Sequence, residues 1–133
     1  MRYLLDTNAC IALLNGTSPS VQARVRRYRS SDIGLPSPVV YELYYGAYKS
    51  QQTARNLELL DRVGLEVVPF DASDARVAGA VRSELEAMGQ PIGPYDVLIA
   101  GQARSRGLVL VTANRREFLR VPGLDCEDWT IDD

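Results

Sequence analysis

The stretch YDVLIAGQARSRGLVLVT, Tyr95 to Thr112, reads as a helix that stops on Gly107 and passes directly into a strand. Leu108 to Val111 is apolar at every position. A strand with one face in water alternates; a strand covered on both faces does not. Three further runs share the character: RYLL (Arg2–Leu5), DIGLP (Asp32–Pro36) and LEVVPF (Leu65–Phe70). CEDWTI (Cys126–Ile131) is a candidate last strand. Helical segments separate them. Strand–helix alternation with apolar strands predicts an α/β fold with three α/β/α layers and a central parallel sheet of four to five strands.

Helix starts are marked by polar caps. Thr7 or Asn8 can cap a helix from about Ala9 to Leu14. Ser18-Pro19 and Ser37-Pro38 combine a cap residue with a first-turn proline. Thr53 to Arg62 reads as a helix, and RREFLR (Arg115–Arg120) as a short one. Asp71 with Asp74 three residues on opens a long helix to about Met88. No linker or repeat interrupts residues 1–133, so one domain is expected.

Of the 133 residues, 46% are hydrophobic and 24% charged, as in a water-soluble globular chain. No apolar run reaches the roughly 20 residues that span a bilayer. The start has no signal-peptide pattern, and Cys10 and Cys126 form no framework. A reduced, cytoplasmic protein without membrane attachment is therefore expected. There is no histidine, which excludes histidine-dependent triads and histidine-held zinc or haem. The net charge of −2 gives no generic grip on nucleic acid. Fourteen of the fifteen basic residues are arginine, clustered at Arg24–Arg29, Arg104 and Arg106, and Arg115–Arg120. On composition alone these read as solvated faces, and the acidic end (Asp125, Glu127, Asp128, Asp132, Asp133) as a solubilising tail.

Sites in open parallel sheets form at the carboxyl ends of strands. Asp6 follows the first strand; Thr112, Asn114 and Glu117 follow the fourth. Glu42 and Asp96 sit among apolar neighbours near the starts of their helices. Each has a bland reading. Asp6 can cap a helix, although Thr7 and Asn8 can do so in its place. Asp96 suits a helix dipole. Glu42 can pair with an arginine, but none stands at local spacing. Converging, the four carboxylates would repel one another, and a divalent cation would relieve this. All-oxygen ligands select Mg²⁺ or Mn²⁺. Thr112 and Asn114 would then hold water or a phosphate oxygen.

The segments LLDTN, ELYYGAYKS and GPYDVLIAGQARSRGLVLVTANRREFLRVPGLDCEDW together resemble the PIN-domain ribonucleases, and within them the VapC toxins of type II toxin–antitoxin pairs. The resemblance spans essentially the whole chain. It implies a five-stranded parallel sheet and a Mg²⁺- or Mn²⁺-dependent endoribonuclease acting on tRNA or ribosomal RNA. It also implies a VapB-type antitoxin that blocks the site, and a homodimer or a toxin–antitoxin hetero-oligomer. The family acids fall on Asp6, Glu42 and Asp96, and the fourth polar position on Asn114 or Glu117. Asp6 and Asp96 would ligate the metal; Glu42 would act through water; Glu117 and Asn114 would complete the outer shell. Arg115 and Arg116, with the other arginine clusters, become phosphate contacts beside Thr112. Tyr41, Tyr44, Tyr45 and Tyr48, at helical spacing, read as core, dimer or antitoxin contacts before base-stacking platforms.

Two rivals stand beside this reading. An aspartyl-nucleophile phosphohydrolase would need a second acid at position 8, which is Asn8, and a lysine near the last acidic motif, whereas Lys49 lies elsewhere. A non-catalytic module of the same fold would have lost its acids, and here they are present.

Overall fold

The structure, a computed structural model, describes residues 1–131. Five strands form one parallel sheet: β1 (Tyr3–Leu5), β2 (Ile33–Pro36), β3 (Glu66–Val68), β4 (Val109–Val111) and β5 (Cys126–Glu127), in the spatial order β3-β2-β1-β4-β5. The helices are α1 (Thr7–Asn15), α2 (Pro19–Val25), α3 (Ser37–Lys49), α4 (Thr53–Asp61), α5 (Ala72–Ala87), α6 (Pro94–Arg106) and α7 (Arg115–Phe118). The expected α/β class and parallel sheet are both present. No helix among the described residues is long and apolar enough to cross a membrane.

Strand burial follows position in the sheet. Central β1 is buried at all three residues and neighbouring β2 at all four. β3 is an edge strand and leaves Glu66 and Val67 exposed. The register brings Leu5 beside Val111, so β1 and β4 end level. Chain progression runs outward to β3 on one side of β1 and to β5 on the other. The switch point, where parallel α/β folds open a crevice, therefore lies between β1 and β4.

Two expected caps are reassigned. Asp6 itself caps α1: its Oδ1 accepts from the Ala9 N–H at 2.8 Å, with Asp6 in the extended conformation. Thr7 and Asn8 already lie inside the helix. Pro36, not Ser37, holds the cap position of α3, because β2 pairs as far as Pro36. Ser37 Oγ instead accepts from the Phe70 N–H at 3.0 Å, tying the exit of β3 to α3. Ser18 does cap α2, and Asp71 and Asp74 do form a capping box on α5.

The acidic end is not a loose tail. Glu127 belongs to β5, accepts from Arg24 at 2.9 Å and from the Trp129 indole N–H at 3.0 Å. Trp129 is buried against Tyr3 and stacked on Tyr28. Asp132 and Asp133 lie outside the described residues. Several of the clustered arginines are likewise structural. Arg24 also covers Trp129, and Arg104 reaches Glu84. Arg106 holds Asp74 through Nε and Nη2 at 3.2 and 2.9 Å. Burial alone would raise the Asp74 carboxyl; the bonds from Arg106 and from the Asp71 N–H overturn this and hold it below its ordinary range. The four α3 tyrosines are exposed and contribute nothing to the core.

Helices α5 and α6 approach closely because Gly101 faces Ala78. A Cβ built on Gly101 would stand 2.5 Å from the Ala78 Cα, and backbone cannot swing aside. Gly101→Ala should therefore destabilise the fold by about 1–3 kcal/mol in urea unfolding, despite a helix-propensity gain of about 1 kcal/mol. A net gain in stability would show that the two helices part freely.

Candidate functional site

Each acid owes its place to a local feature. Asp6 leaves β1 and turns back to cap α1, so it is 6% exposed at the sheet edge. The buried Thr112, at the exit of β4, donates its hydroxyl to the Asp6 carboxylate and accepts from the Asn114 N–H at 2.9 Å. Glu42, on the second turn of α3, accepts from the Thr7 hydroxyl at 3.0 Å through Oε1. Among the described residues no arginine or lysine pairs with Glu42. Asp96 lies in the first turn of α6. Glu117, in the first turn of α7, bridges two loops: Oε1 accepts from the Gly93 N–H at 3.0 Å and Oε2 from the Asn114 side-chain amide at 2.7 Å.

The four expected carboxylates share one electrostatic neighbourhood around Asp96. Burial pushes the Asp96 carboxyl up to about 6, reinforced by the charges of Glu117, Glu42 and Asp6. Burial likewise raises Asp6, aided by Glu42 and Asp128 and opposed by the Thr112 and Ala9 hydrogen bonds. Glu117 is the exception. The Gly93 N–H and the Asn114 amide hold it below the ordinary carboxylate range, so it stays anionic. Asn114 is thus committed to Glu117 rather than standing as an alternative to it.

Two residues near the cleft escaped the sequence reading. Asp128 is a fifth acid in the field of Asp6; the sequence places it in a candidate strand and an acidic tail, and neither marks a site. Thr7 reads from sequence as a cap, yet it orients Glu42 from 35 positions away. Arg115 and Arg116 are exposed on α7. Arg120 donates to the Pro91 carbonyl at 3.1 Å, fastening α7 to the loop before α6.

Among the described residues no three acids or cysteines close into a ready-made metal cage. The donor set is all oxygen, open and short of positive charge. That suits a cation such as Mg²⁺, which keeps much of its water shell and takes one or two carboxylates with the rest from substrate. Asp6 and Asp96, the two acids with raised pKa values, are the groups a cation would relieve most.

Comparison with known proteins agrees with this fold. The PIN-domain family model matches residues 3–124. The chain belongs to the PIN-domain family. Within the family it is 42% identical over 132 residues to the tRNA(fMet)-specific endonuclease VapC of Shigella flexneri, covering 98% of this chain and 99% of that one. It is 35% identical over 131 residues to Ribonuclease VapC2 of Haemophilus influenzae, covering 97% and 98%. The toxin–antitoxin complex VapBC of Salmonella typhimurium, solved bound to DNA, contains a chain that superposes with a TM-score of 0.91 at 42% identity over 97% of this chain and 98% of that one. The PIN domain described here is thus a VapC-type chain, with its acids on the sheet edge.

The charge crowding in this PIN domain has a measurable consequence. An acid whose pKa is raised by folding binds more protons folded than unfolded between about pH 4 and 6. Asp96 therefore lowers stability as pH rises through that window, fully so by pH 7. Without divalent ions, Asp96→Asn should stabilise the protein at pH 7 by about 1–2 kcal/mol after solvent screening, and by almost nothing at pH 4. Asp6→Asn, which keeps a capping oxygen, should leave the melting temperature unchanged or higher. Asp6→Ala should fall below Asp6→Asn by about 0.5–2 kcal/mol through loss of the cap. Asn and Ala variants of equal stability would remove the cap from the account.

Proposed function

We propose that this chain is the RNA-cleaving toxin of a VapBC-type pair, a Mg²⁺- or Mn²⁺-dependent endoribonuclease acting in the cytoplasm. The observation that carries this is the meeting of Asp6, Glu42, Asp96 and Glu117 at the switch point, with Asp6 and Asp96 both displaced toward the neutral form. The relatives named as endonucleases and ribonucleases at 35–42% identity support it. An RNA hairpin of the tRNA class is the proposed substrate, since the Shigella relative is named for tRNA(fMet).

In this reading Asp6 and Asp96 would hold the ion through their carboxylate oxygens. When bound, it would offset phosphate charge and increase the acidity of an attacking water. Thr7 orients the Glu42 carboxylate through Oε1, and Glu42 would accept a hydrogen bond from that water. Thr112 fixes the Asp6 carboxylate, and Glu117 with Asn114 holds the loop before α6 at the distance that places Asp96. Arg115 and Arg116 lie exposed beyond Asn114, where they can meet phosphates outside the cleft.

The proposed partners are a VapB-type antitoxin and a second copy of the chain. A groove of about 230 Å³, lined by Ile11, Leu14, Leu43, Leu59 and Leu60, opens beside Glu42. Its apolar walls suit an amphipathic segment of the antitoxin, from which a cationic side chain could enter the acidic cleft.

The phosphohydrolase reading finds less support. Asn8 is exposed inside α1, and Lys49 lies over the Tyr45 ring at 5.7 Å, not in the cleft. Incubation with a tRNA pool and Mg²⁺, followed by mapping of cleaved ends, tests the proposal. Asp6→Asn and Asp96→Asn should each reduce cleavage at least about 100-fold while remaining folded. Wild-type cleavage rates in either variant would reject the assignment.

A further inference from the structure

Tyr41 and Tyr95 each stand one residue before an acid of the cleft, Glu42 and Asp96. Their rings meet at 5.6 Å between centroids with a 40° tilt, and their hydroxyls lie 3.4 Å apart. Even so, they remain 55% and 43% exposed. The core has its own aromatic group, Tyr3, Tyr28 and Trp129, and this second pair takes no part in it. Two large rings are thus pre-arranged in water at the rim of the acidic cleft.

We propose that the Tyr41–Tyr95 pair is a platform on which a nucleobase next to the scissile phosphodiester stacks. The inference rests on the RNA-cleavage reading and deepens it. A protein of net charge −2, with four acids in its cleft, cannot draw RNA in by bulk electrostatics. Beyond the ion and the exposed arginines, affinity near the cut gains from contacts that charge does not oppose, and base–aromatic stacking is one. The geometry selects the mode. A base sandwiched between two rings would need about 7 Å between parallel faces, more than this tilted pair allows. The base therefore packs on the outer, solvent-facing side. The mutual contact holds both rings in place before RNA arrives, which reduces the ordering entropy of binding.

The test is steady-state cleavage of an oligoribonucleotide spanning the mapped cut site, and of the same strand abasic beside the cut. The Tyr41→Ala/Tyr95→Ala double variant should raise KM roughly 5- to 100-fold, with kcat nearly unchanged and the melting temperature intact. Tyr41→Phe/Tyr95→Phe should restore KM, since the ring and not the hydroxyl stacks. On the abasic strand, wild type and the Ala variant should converge. Unchanged KM in the Ala variant overturns the proposal. So does an equal loss on the abasic strand, or a defect confined to binding an antitoxin chain. A wild-type protein that cleaves no RNA overturns the RNA-cleavage reading itself and this platform with it, an outcome distinct from active variants.

Discussion

Like charges crowded into one partly dry crevice are the constraint on which the rest of this structure turns. Asp6, Glu42, Asp96 and Glu117 arrive from β1, α3, α6 and α7, and three of the four reinforce the raised pKa of Asp96, itself the fourth. A fold gains nothing from such crowding by itself, and an isolated acid in its place would neutralise or move. Here each is held. A helix cap fixes Asp6, a hydroxyl fixes Glu42, and a backbone N–H with an amide fixes Glu117. The surrounding structure supplies the rigidity, and the crevice keeps the unresolved charge.

That rigidity is built from contacts outside the crevice. Gly101 against Ala78 seats α6, and Arg106 clasped to Asp74 locks its far end to the start of α5. Ser37 ties α3 to the exit of β3. Arg24, Glu127 and Trp129 fasten α2 to the last strand. The arginines that composition offered to phosphate are in good part spent on these clasps. Positive charge therefore remains sparse in the cleft, and a cation is the natural complement to its acids.

The parallel sheet was legible because burial on both faces leaves a direct mark: RYLL and LVLVT contain no alternation to misread. Asp6 and Glu117 were legible because they follow strands, Glu42 and Asp96 because apolar residues surround them, and the family resemblance tied the four together. Less visible were choices made by backbone direction. Asp6, Thr7 and Asn8 are all competent caps, and only the extended conformation at Asp6 decides among them. Ser37 followed by proline imitates a cap, but strand pairing through Pro36 shifts the helix start. Long-range partners were invisible: Arg24 finds Glu127 across 103 positions, and Thr7 finds Glu42 across 35. Glu127 and Asp128 carried two readings, last strand and acidic tail, because a two-residue strand leaves almost no periodic signal.

If the crevice is a cation site, its charge crowding must vanish when the cation binds. Carbon-13 NMR of the side-chain carboxyls, titrated with and without saturating Mg²⁺, follows this group by group. The account predicts that Asp96 titrates near 6 without the ion and well below its ordinary value with it. An Asp96 that titrates at the same pH in both conditions would contradict it.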